Sequence, residues 1–306
     1  MAITAGMVKE LREMTGAGMM DCKKALTETN GDMDAAVEVL RKSGAAKMEK
    51  KQSRIAAEGI ARVAVNGNVA VVAEVNSETD FVAKNEVFQQ YVKEVAAQAK
   101  ATSAANVEAF LAEPWAAEAG QTVEEKLKAM IAKIGENMNI RRFEKVTTDG
   151  LVVSYIHAGG KIGVLVVADT DSDSDAVKEC LKNVAMQIAA LNPKYVSSDD
   201  VDADYKEHEK QVLLAQAKND PKNAGKPDEI IEKMIIGRLN KELKEVCLLE
   251  QPYVKAENKE NVKQYIEAVA TAEGCKLNVT KFVRFETGEG LEKKEEDFAA
   301  EVAAQL

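Results

Sequence analysis

The chain has 306 residues, of which 46% are hydrophobic and 30% charged, and its formal net charge is −10. This length can bury two or more cores, and the acidic balance disfavours direct nucleic-acid binding, because phosphate backbones usually need a basic patch. With two histidines, no CxxC pair, no Walker-type loop, no signal sequence and no apolar run of membrane-spanning length, the sequence favours a cytoplasmic protein without metal, cofactor or catalytic triad.

The first 44 residues have the pattern of three short helices, which predicts a small N-terminal module. Thr4 is a candidate N-cap, and Asn30-Gly31 gives a C-cap signal before the third helix. On the second helix, Met20 lies about 100° away from Met19. Met20 therefore either joins Lys23-Lys24 in a docking face or covers the edge of a thin core. The apolar stripes of the first two helices comprise Met7, Val8, Leu11, Met14, Met19, Cys22 and Leu26.

Residues 45–57 contain four basic side chains and are interpreted as a charged linker. From Ile60 the hydrophobic period changes to two, and Asn66-Gly67-Asn68 separates two strand-like runs as in a hairpin. The second run ends at Val75. A helix is predicted from Asn85 to Lys100, with Asn85 as its N-cap.

The stretch between that strand and that helix, Asn76 to Lys84, is the centre of the functional hypothesis. It places Asp80 beside Phe81 in a loop. Aromatic residues are usually buried, so one interpretation is that Phe81 plugs the gap between strand and helix. The alternative is that an aromatic residue beside an acidic one presents a probe to a partner.

A second hairpin and helix follow, which indicates an internal duplication. The strands match at an offset of 161 − 68 = 93 and the helices at 184 − 95 = 89, so the first copy has 93 − 89 = 4 extra residues between them. The corresponding acidic run, 169–175, has no aromatic residue; it lacks the glycine and glutamate of an EF-hand and is interpreted as a solvated turn. A plug that the fold required would be needed in both copies, so the comparison favours a site grafted onto a loop.

Residues 199–244 predict an antiparallel helical hairpin, with the segment 219–227 as its connection. His208 is interpreted as a packed residue on a coiled-coil seam. The seam positions are Val201, Tyr205, His208, Val212 and Ala215. A helix around Ile266, an extended run from Leu277 to Glu286 and a last helix over 297–306 complete the chain.

Five blocks, in order along the chain, resemble signatures of the elongation factor Ts family of bacterial translation factors. They are Thr15 to Leu26, Glu74 to Asn76 with Thr79 to Lys84, Lys133 to Asn137 with Asn139 to Arg142, Tyr155 to His157 with Ile162 to Leu165, and Arg284 to Glu286 with Gly288 to Gly290. Together they span nearly the whole chain. Residues 101–121 and 199–228 carry no such signature.

The resemblance implies an α+β fold. Its core is expected to contain two related subdomains, each an antiparallel sheet with helices. The expected parts are a three-helix, UBA-like module (1–44), the charged linker (45–57), a first core subdomain (58–140), a second core subdomain (141–198 and 245–286), an inserted antiparallel coiled-coil hairpin (199–244) and a C-terminal helical module (287–306).

The resemblance also implies a non-enzymatic guanine nucleotide exchange factor for elongation factor Tu, in its GDP-bound and nucleotide-free forms. In the family, an Asp-Phe pair inserts beside the magnesium site of that GTPase, and the matching pair here is Asp80 and Phe81, within the stretch Thr79 to Val82. A dimer or a 2:2 complex with the partner stays open. The residues expected at partner contacts are Arg12, Met19, Met20, Asp80, Phe81, Val82, Ile134, Gly135, Glu136, Asn137 and His157.

Two other functions compete with nucleotide exchange. An adaptor would use the N-terminal module and the helical hairpin to bind a partner without accelerating release of its nucleotide. An enzyme would use the carboxylates around Glu78 and Asp80, but its pocket would be expected to include a histidine, and neither His157 nor His208 is near them in the sequence.

Overall fold

The computed structural model describes residues 3–15, 17–40, 53–223 and 226–292, and this part of the chain is a mixed α+β structure. Its named strands form two three-stranded antiparallel sheets. The fold class expected from the sequence is therefore confirmed. Most of the predicted linker and the predicted helix over 297–306 lie outside the described residues. None of the described helices is long and apolar enough to cross a membrane.

The N-terminal module packs three helical segments around a small core. α1 spans Ala5–Thr15, α2 spans Met19–Glu28, and residues 33–40 form α3. The predicted cap is present, since Thr4 Oγ1 accepts a hydrogen bond from the N–H of Met7 at 3.3 Å. The buried side chains of the module are Val8, Leu11, Cys22, Ala25, Leu26 and Ala36.

Three methionines of this module are largely exposed. The exposed fractions are 60% for Met14, 57% for Met19 and 74% for Met20. Met14 and Met19 lie on the apolar stripes but outside the core, because so small a core is already filled by the more central positions. The exposure of Met20 also argues against its covering the edge of the core.

The first sheet has the order β1-β2-β3, and helices cover one of its faces. Gly67 turns the β1–β2 hairpin with a φ of +58°, as its Asn-Gly signal predicts. Phe88 and Val95 from the long helix and Trp115 from the following connection are buried against the sheet. The elements are β1 Glu58–Asn66, β2 Val69–Ser77, α4 Asp80–Ala83, α5 Glu86–Ala101, α6 Val107–Leu111, α7 Val123–Ile134 and β3 Met138–Thr147.

The second sheet begins with another hairpin followed by a long helix, as the duplication predicts. Ser174 caps this helix, since its Oγ accepts a hydrogen bond from the N–H of Val177 at 3.3 Å. The acidic segment before it is a turn, in which Asp171 and Asp173 are exposed. The elements are β4 Leu151–His157, β5 Ile162–Thr170 and α8 Asp175–Leu191.

A pair of helices, α9 (Ala203–Asn219) and α10 (Asp228–Val246), packs together as the predicted hairpin. The predicted seam is wrong in its phase, because His208 and Ala215 are exposed. Leu213 lies about 100° round the helix from Val212 of the predicted seam, and its side chain gains more from burial than that of Ala215, so the buried face is rotated from the predicted one. The buried residues of the pair are Leu213, Ala217, Ile231 and Ile235.

After the hairpin, α11 (Val262–Glu273) and β6 (Leu277–Glu286) complete the second sheet in the order β4-β5-β6. α8 and α11 pack on its outer face. The two sheets pack against each other through an apolar layer that includes Val72, Leu165 and Phe285. The centre of the molecule is therefore layered helix, sheet, sheet, helix, with the two copies of the duplicated unit back to back.

Candidate functional site

α4 stands where the first copy of the duplicated unit is longer. β2 and β5 begin at residues 69 and 162, an offset of 162 − 69 = 93, whereas α5 and α8 begin at 86 and 175, an offset of 175 − 86 = 89. The difference, 93 − 89 = 4, equals the four residues of α4. The sequence placed Phe81 in a loop, but the inserted residues form one helical turn, because Thr79 caps it.

The neighbouring side chains of Phe81 and Val82 have different positions: Val82 is the buried plug and Phe81 is the exposed probe. Val82 is buried against α5 and the first sheet, so it fills the gap after β2. Phe81 is 80% exposed. Thr79 Oγ1 fixes the turn between them by accepting a hydrogen bond from the N–H of Val82 at 3.3 Å. The interpretation of Phe81 as a buried plug is therefore wrong.

A carboxylate from the turn after α7 accepts two hydrogen bonds from the residue at the start of α4. Glu136 Oε2 accepts a hydrogen bond from the N–H of Thr79 at 3.0 Å, and Oε1 accepts one from Thr79 Oγ1 at 2.7 Å. Gly135 ends α7 with a φ of +93°, in the left-handed region that glycine tolerates. Glu136 thus uses both oxygens within the chain.

Asn137 ties the same turn to the residue before Thr79. Its N–H donates a short hydrogen bond to Glu78 Oε1, and its Nδ2 donates to the carbonyl oxygen of Arg54 at 2.7 Å. Arg54 Nη1 lies 3.6 Å from that Glu78 oxygen. Because Asn137 is only 1% exposed, it supports α4 rather than offering a surface to a partner.

Charges of both signs flank the Phe81 ring. Lys84 Nζ lies 2.7 Å from Asp80 Oδ2 and 6.0 Å from the centroid of the ring. The hydrogen bond from Lys84 lowers the pKa of Asp80, and the positive charge of Lys161 lowers it further. The probe is therefore an exposed aromatic ring beside an ionised carboxylate and an ammonium group.

The turn between β4 and β5 lies near the start of β1 and near Asp80. Lys161 Nζ is 3.5 Å from Glu58 Oε2, at the first residue of β1. Gly160 has a φ of +107°, and a Cβ there would lie 2.7 Å from Ile60 Cγ2, so glycine permits this close approach. His157 is exposed, and its Nδ1 lies 3.0 Å from Tyr155 Oη.

The expected contact residues therefore fall into separate groups. α4 and the turn 134–137 are joined by hydrogen bonds, and the turn 157–161 approaches them through Lys161. Ile134, Gly135 and Glu136 are partly exposed. Arg12, Met19 and Met20 are exposed on the N-terminal module, which has its own core.

Three of the family-like blocks meet at a buried carboxylate that the sequence interpretation did not single out. Glu74 on β2 is fully buried. Its oxygens lie 3.0 Å from Arg141 Nη1 and 2.5 Å from Arg142 Nε, and they accept a hydrogen bond from the N–H of Gly288 at 2.8 Å. Burial would raise the pKa of Glu74, but hydrogen bonds from Gly288, Asn76 and the two arginines outweigh it, so this pKa is lowered.

The Glu74 network joins the two copies of the duplicated unit. The arginines belong to β3 of the first sheet, whereas Gly288 follows β6 of the second. The Arg142 guanidinium also lies 4.2 Å from the centroid of the Phe285 ring. The available signal was a lone acid in the apolar run 69–75 together with two adjacent arginines; strand pairing, which the sequence does not show, decides that they meet.

The site has the chemistry of a contact surface. The carboxylates of Glu78, Asp80 and Glu136 all accept hydrogen bonds from neighbouring groups of the chain. Within the described residues, no three His, Cys, Asp or Glu side chains are grouped so that they could hold a metal ion. What the arrangement offers is an exposed aromatic ring on a helical turn that is hydrogen-bonded to the neighbouring turn 134–137.

Comparisons with known proteins identify the same family over nearly the whole chain. Residues 78–289, which include α4 and the turn 134–137, match the family described as Elongation factor TS. A protein of Clostridioides difficile (strain 630) named Elongation factor Ts is 55% identical over 306 residues, 99% of each chain. Proteins of the same name from Trichlorobacter lovleyi and Magnetococcus marinus are 53% and 50% identical, each over 99% of this chain and 98% of its relative.

Proposed function

The chain belongs to the elongation factor Ts family of translation elongation factors, and we propose that it is the guanine nucleotide exchange factor of elongation factor Tu. It binds the GDP-bound GTPase, inserts Asp80 and Phe81 near the magnesium and nucleotide site, and promotes GDP release during translation elongation. The observation that supports insertion is the 80% exposed Phe81 ring on a turn that Thr79 and Glu136 hold in place.

The proposed mechanism is a shift of population and needs no proton transfer from this chain. A GTPase holds GDP through magnesium and through backbone donors to the phosphates. A protein that binds the open, nucleotide-free form more tightly shifts the GTPase toward that form, so GDP leaves. Because this coupling is reciprocal, rebinding of nucleotide expels the factor.

The free energy needed to accelerate GDP release is of the size that one buried aromatic residue and its neighbouring contacts can provide. Raising GDP release about a thousandfold requires about 4 kcal/mol in favour of the open form, at about 1.4 kcal/mol per tenfold. Burying a phenylalanine side chain contributes about 1.5–3 kcal/mol, and aromatic residues at the centre of an interface often contribute more than 2. Phe81 has that surface available, because it is not buried within its own chain.

Further contacts spread the proposed interface over the chain. We assign Arg12, Met19 and Met20 of the N-terminal module to the partner's nucleotide domain, and His157 to a further contact with the partner. The helical hairpin and the second core subdomain face its other domains. The domain boundaries expected from the sequence are kept as part of this proposal, as are a cytoplasmic location and the absence of a cofactor.

The proposal is tested by stopped-flow fluorescence with elongation factor Tu loaded with labelled GDP. Excess unlabelled GDP prevents rebinding, and the concentration of this protein is varied. We expect the release rate to rise and reach a plateau at least a hundredfold above the spontaneous rate. A stable complex that leaves the release rate unchanged would support the adaptor hypothesis and contradict exchange.

A further inference from the structure

We propose that Glu136 is a positioning residue for nucleotide exchange, which acts by holding α4 in the orientation that presents Phe81. Glu136 reaches this role through Thr79, the N-cap of α4, and not through contact with nucleotide. The inference deepens the proposed function and rests on it, since it assigns the rigidity of the probe to one carboxylate. It also makes a claim about the unbound chain that is testable without the partner.

Two charge-assisted hydrogen bonds converge on one residue. The carboxylate of Glu136 accepts from both the N–H and the Oγ1–H of Thr79, at 3.0 and 2.7 Å. Thr79 Oγ1 in turn accepts from the N–H of Val82 at 3.3 Å. A continuous path therefore runs from the turn after α7 to the first turn of α4, and hydrogen bonds to a charged acceptor are stronger than neutral ones.

α4 has few other supports besides its packing on the first core, namely hydrogen bonds from Ser77 Oγ to the Thr79 carbonyl at 3.0 Å and from Gln89 Nε2 to the Ala83 carbonyl at 3.3 Å. One helical turn is an unfavourable nucleus by itself. The four residues are an insertion, and the equivalent segment between β5 and α8 contains no helical turn, so the duplicated fold does not require one. Phe81 contributes no packing of its own, so the apolar contacts of the turn come from Val82 and from the partly buried Ala83.

Glu136 is itself well placed to act as a rigid support. The neighbouring N–H of Asn137 donates to the Glu78 carboxylate, while the N–H of Thr79 donates to the Glu136 carboxylate. These reciprocal bonds fasten the two segments side by side. Asn137 is also bonded to the Arg54 carbonyl, so the turn that carries Glu136 is fixed on a second side.

The consequence for exchange lies in the step after docking. If α4 is disordered in the free protein, it must become ordered when Phe81 inserts into the partner. The free-energy cost of this ordering makes the inserted state less populated and so lowers the rate of GDP release from the complex. Docking through the N-terminal module and the other surfaces is not affected. Loss of Glu136 should therefore lower the plateau rate of GDP release more than it changes the concentration needed for half of the plateau.

The chain contains a matched control for this test. Glu125 and Thr122 form a capping box at the start of α7, where Glu125 Oε2 accepts from the N–H of Thr122 at 2.8 Å. Glu125→Ala removes the same type of bond between the same two residue types, away from α4. A general effect of losing a cap would appear in both variants, whereas an effect on Phe81 would appear only in Glu136→Ala.

The first measurement is hydrogen exchange of the free protein. The amides of Ala83 and Lys84 bond to the carbonyls of Thr79 and Asp80 in α4. We expect Glu136→Ala to lower their protection about tenfold, the size of one charge-assisted hydrogen bond, and Glu125→Ala to leave it unchanged. Equal protection of α4 in Glu136→Ala and the wild type would overturn the proposal, whatever the exchange activity.

The second measurement is the GDP-release plateau, in single and double variants. Glu136→Ala should lower the plateau about tenfold and move the half-plateau concentration by less than twofold, and Glu136→Gln, which keeps one acceptor oxygen, should fall between it and the wild type. In a Phe81→Ala background, Glu136→Ala should have no further effect, because the ring it positions is gone. A further tenfold loss there, or equal plateaus for Glu136→Ala and Glu125→Ala, would contradict positioning.

If the wild type itself does not accelerate release, the proposed function fails while the hydrogen-exchange result still decides the role of Glu136 in the free chain.

Discussion

At the scale of single residues, the structure shows that two adjacent apolar residues differ in burial, which the sequence pattern does not reveal. Phe81 is exposed and Val82 is buried, although both are apolar and adjacent. A four-residue turn has too few positions to show a helical period, so pattern alone does not reveal which side faces the core. The duplication gave the clue, because it showed that this aromatic residue was an addition to the fold.

This division of roles predicts opposite effects on stability. Phe81→Ala should change the free energy of unfolding by less than about 0.5 kcal/mol, because an exposed side chain loses little packing. Val82→Ala should cost about 1–2 kcal/mol, because it removes buried methyl groups from the first core. Urea unfolding of the two variants measures both values. A larger cost for Phe81→Ala than for Val82→Ala would mean that the ring is packed in solution.

At the scale of elements, the long periodic segments were predictable and the phase of the helical pair was not. α5 spans Glu86–Ala101 against the predicted 85–100, and β6 spans Leu277–Glu286 as the sequence indicated. In α9 the sequence predicts a seam through His208 and Val212, whereas the structure buries Leu213, which lies about 100° round the helix from Val212. Two overlapping heptads fit such a sequence, and only the partner helix selects between them.

The corrected phase makes a direct prediction for the hairpin. Leu213→Ala should destabilise α9 and α10 by about 2–3 kcal/mol, because it opens a cavity between them. His208→Ala should change their stability by less than about 0.5 kcal/mol, since His208 is exposed. Hydrogen exchange resolved to these two helices distinguishes the residues. Comparable losses of protection would restore the seam expected from the sequence.

At the scale of the whole molecule, a buried ion network sets how the two sheets meet. Glu74 gathers Arg141, Arg142 and the N–H of Gly288 from both sides of the junction. The sequence contains all of these groups but separates them by as many as 214 positions, so local patterns could not assemble them. The network therefore ties the first sheet, whose strand β2 precedes α4 and Phe81, to the second sheet, whose strand β4 ends at His157.

Removing the Glu74 charge should weaken the protein in a pH-dependent manner. Glu74→Gln leaves two partly exposed arginines without their carboxylate and should lower the free energy of unfolding by about 2 kcal/mol at pH 7. Because the pKa of Glu74 is lowered in the folded state, its contribution is complete above the ordinary value of 4.5 and is lost as the pH falls through the folded-state pKa. Unfolding titrations of both proteins from pH 7 to pH 3 should therefore converge in acid. A difference that grows as the pH falls would contradict this assignment.

The central claim, that Phe81 drives nucleotide release from elongation factor Tu, is tested most directly by the plateau rate of GDP release with Phe81→Ala. Val65→Ala serves as the control, because Val65 is also exposed, at 39%, but lies at the end of the β1–β2 pair that is opposite α4. We predict that Phe81→Ala lowers the plateau at least tenfold, consistent with the loss of about 1.5–3 kcal/mol of aromatic burial, and that Val65→Ala leaves it unchanged. Equal plateaus for Phe81→Ala and the wild type would contradict the account.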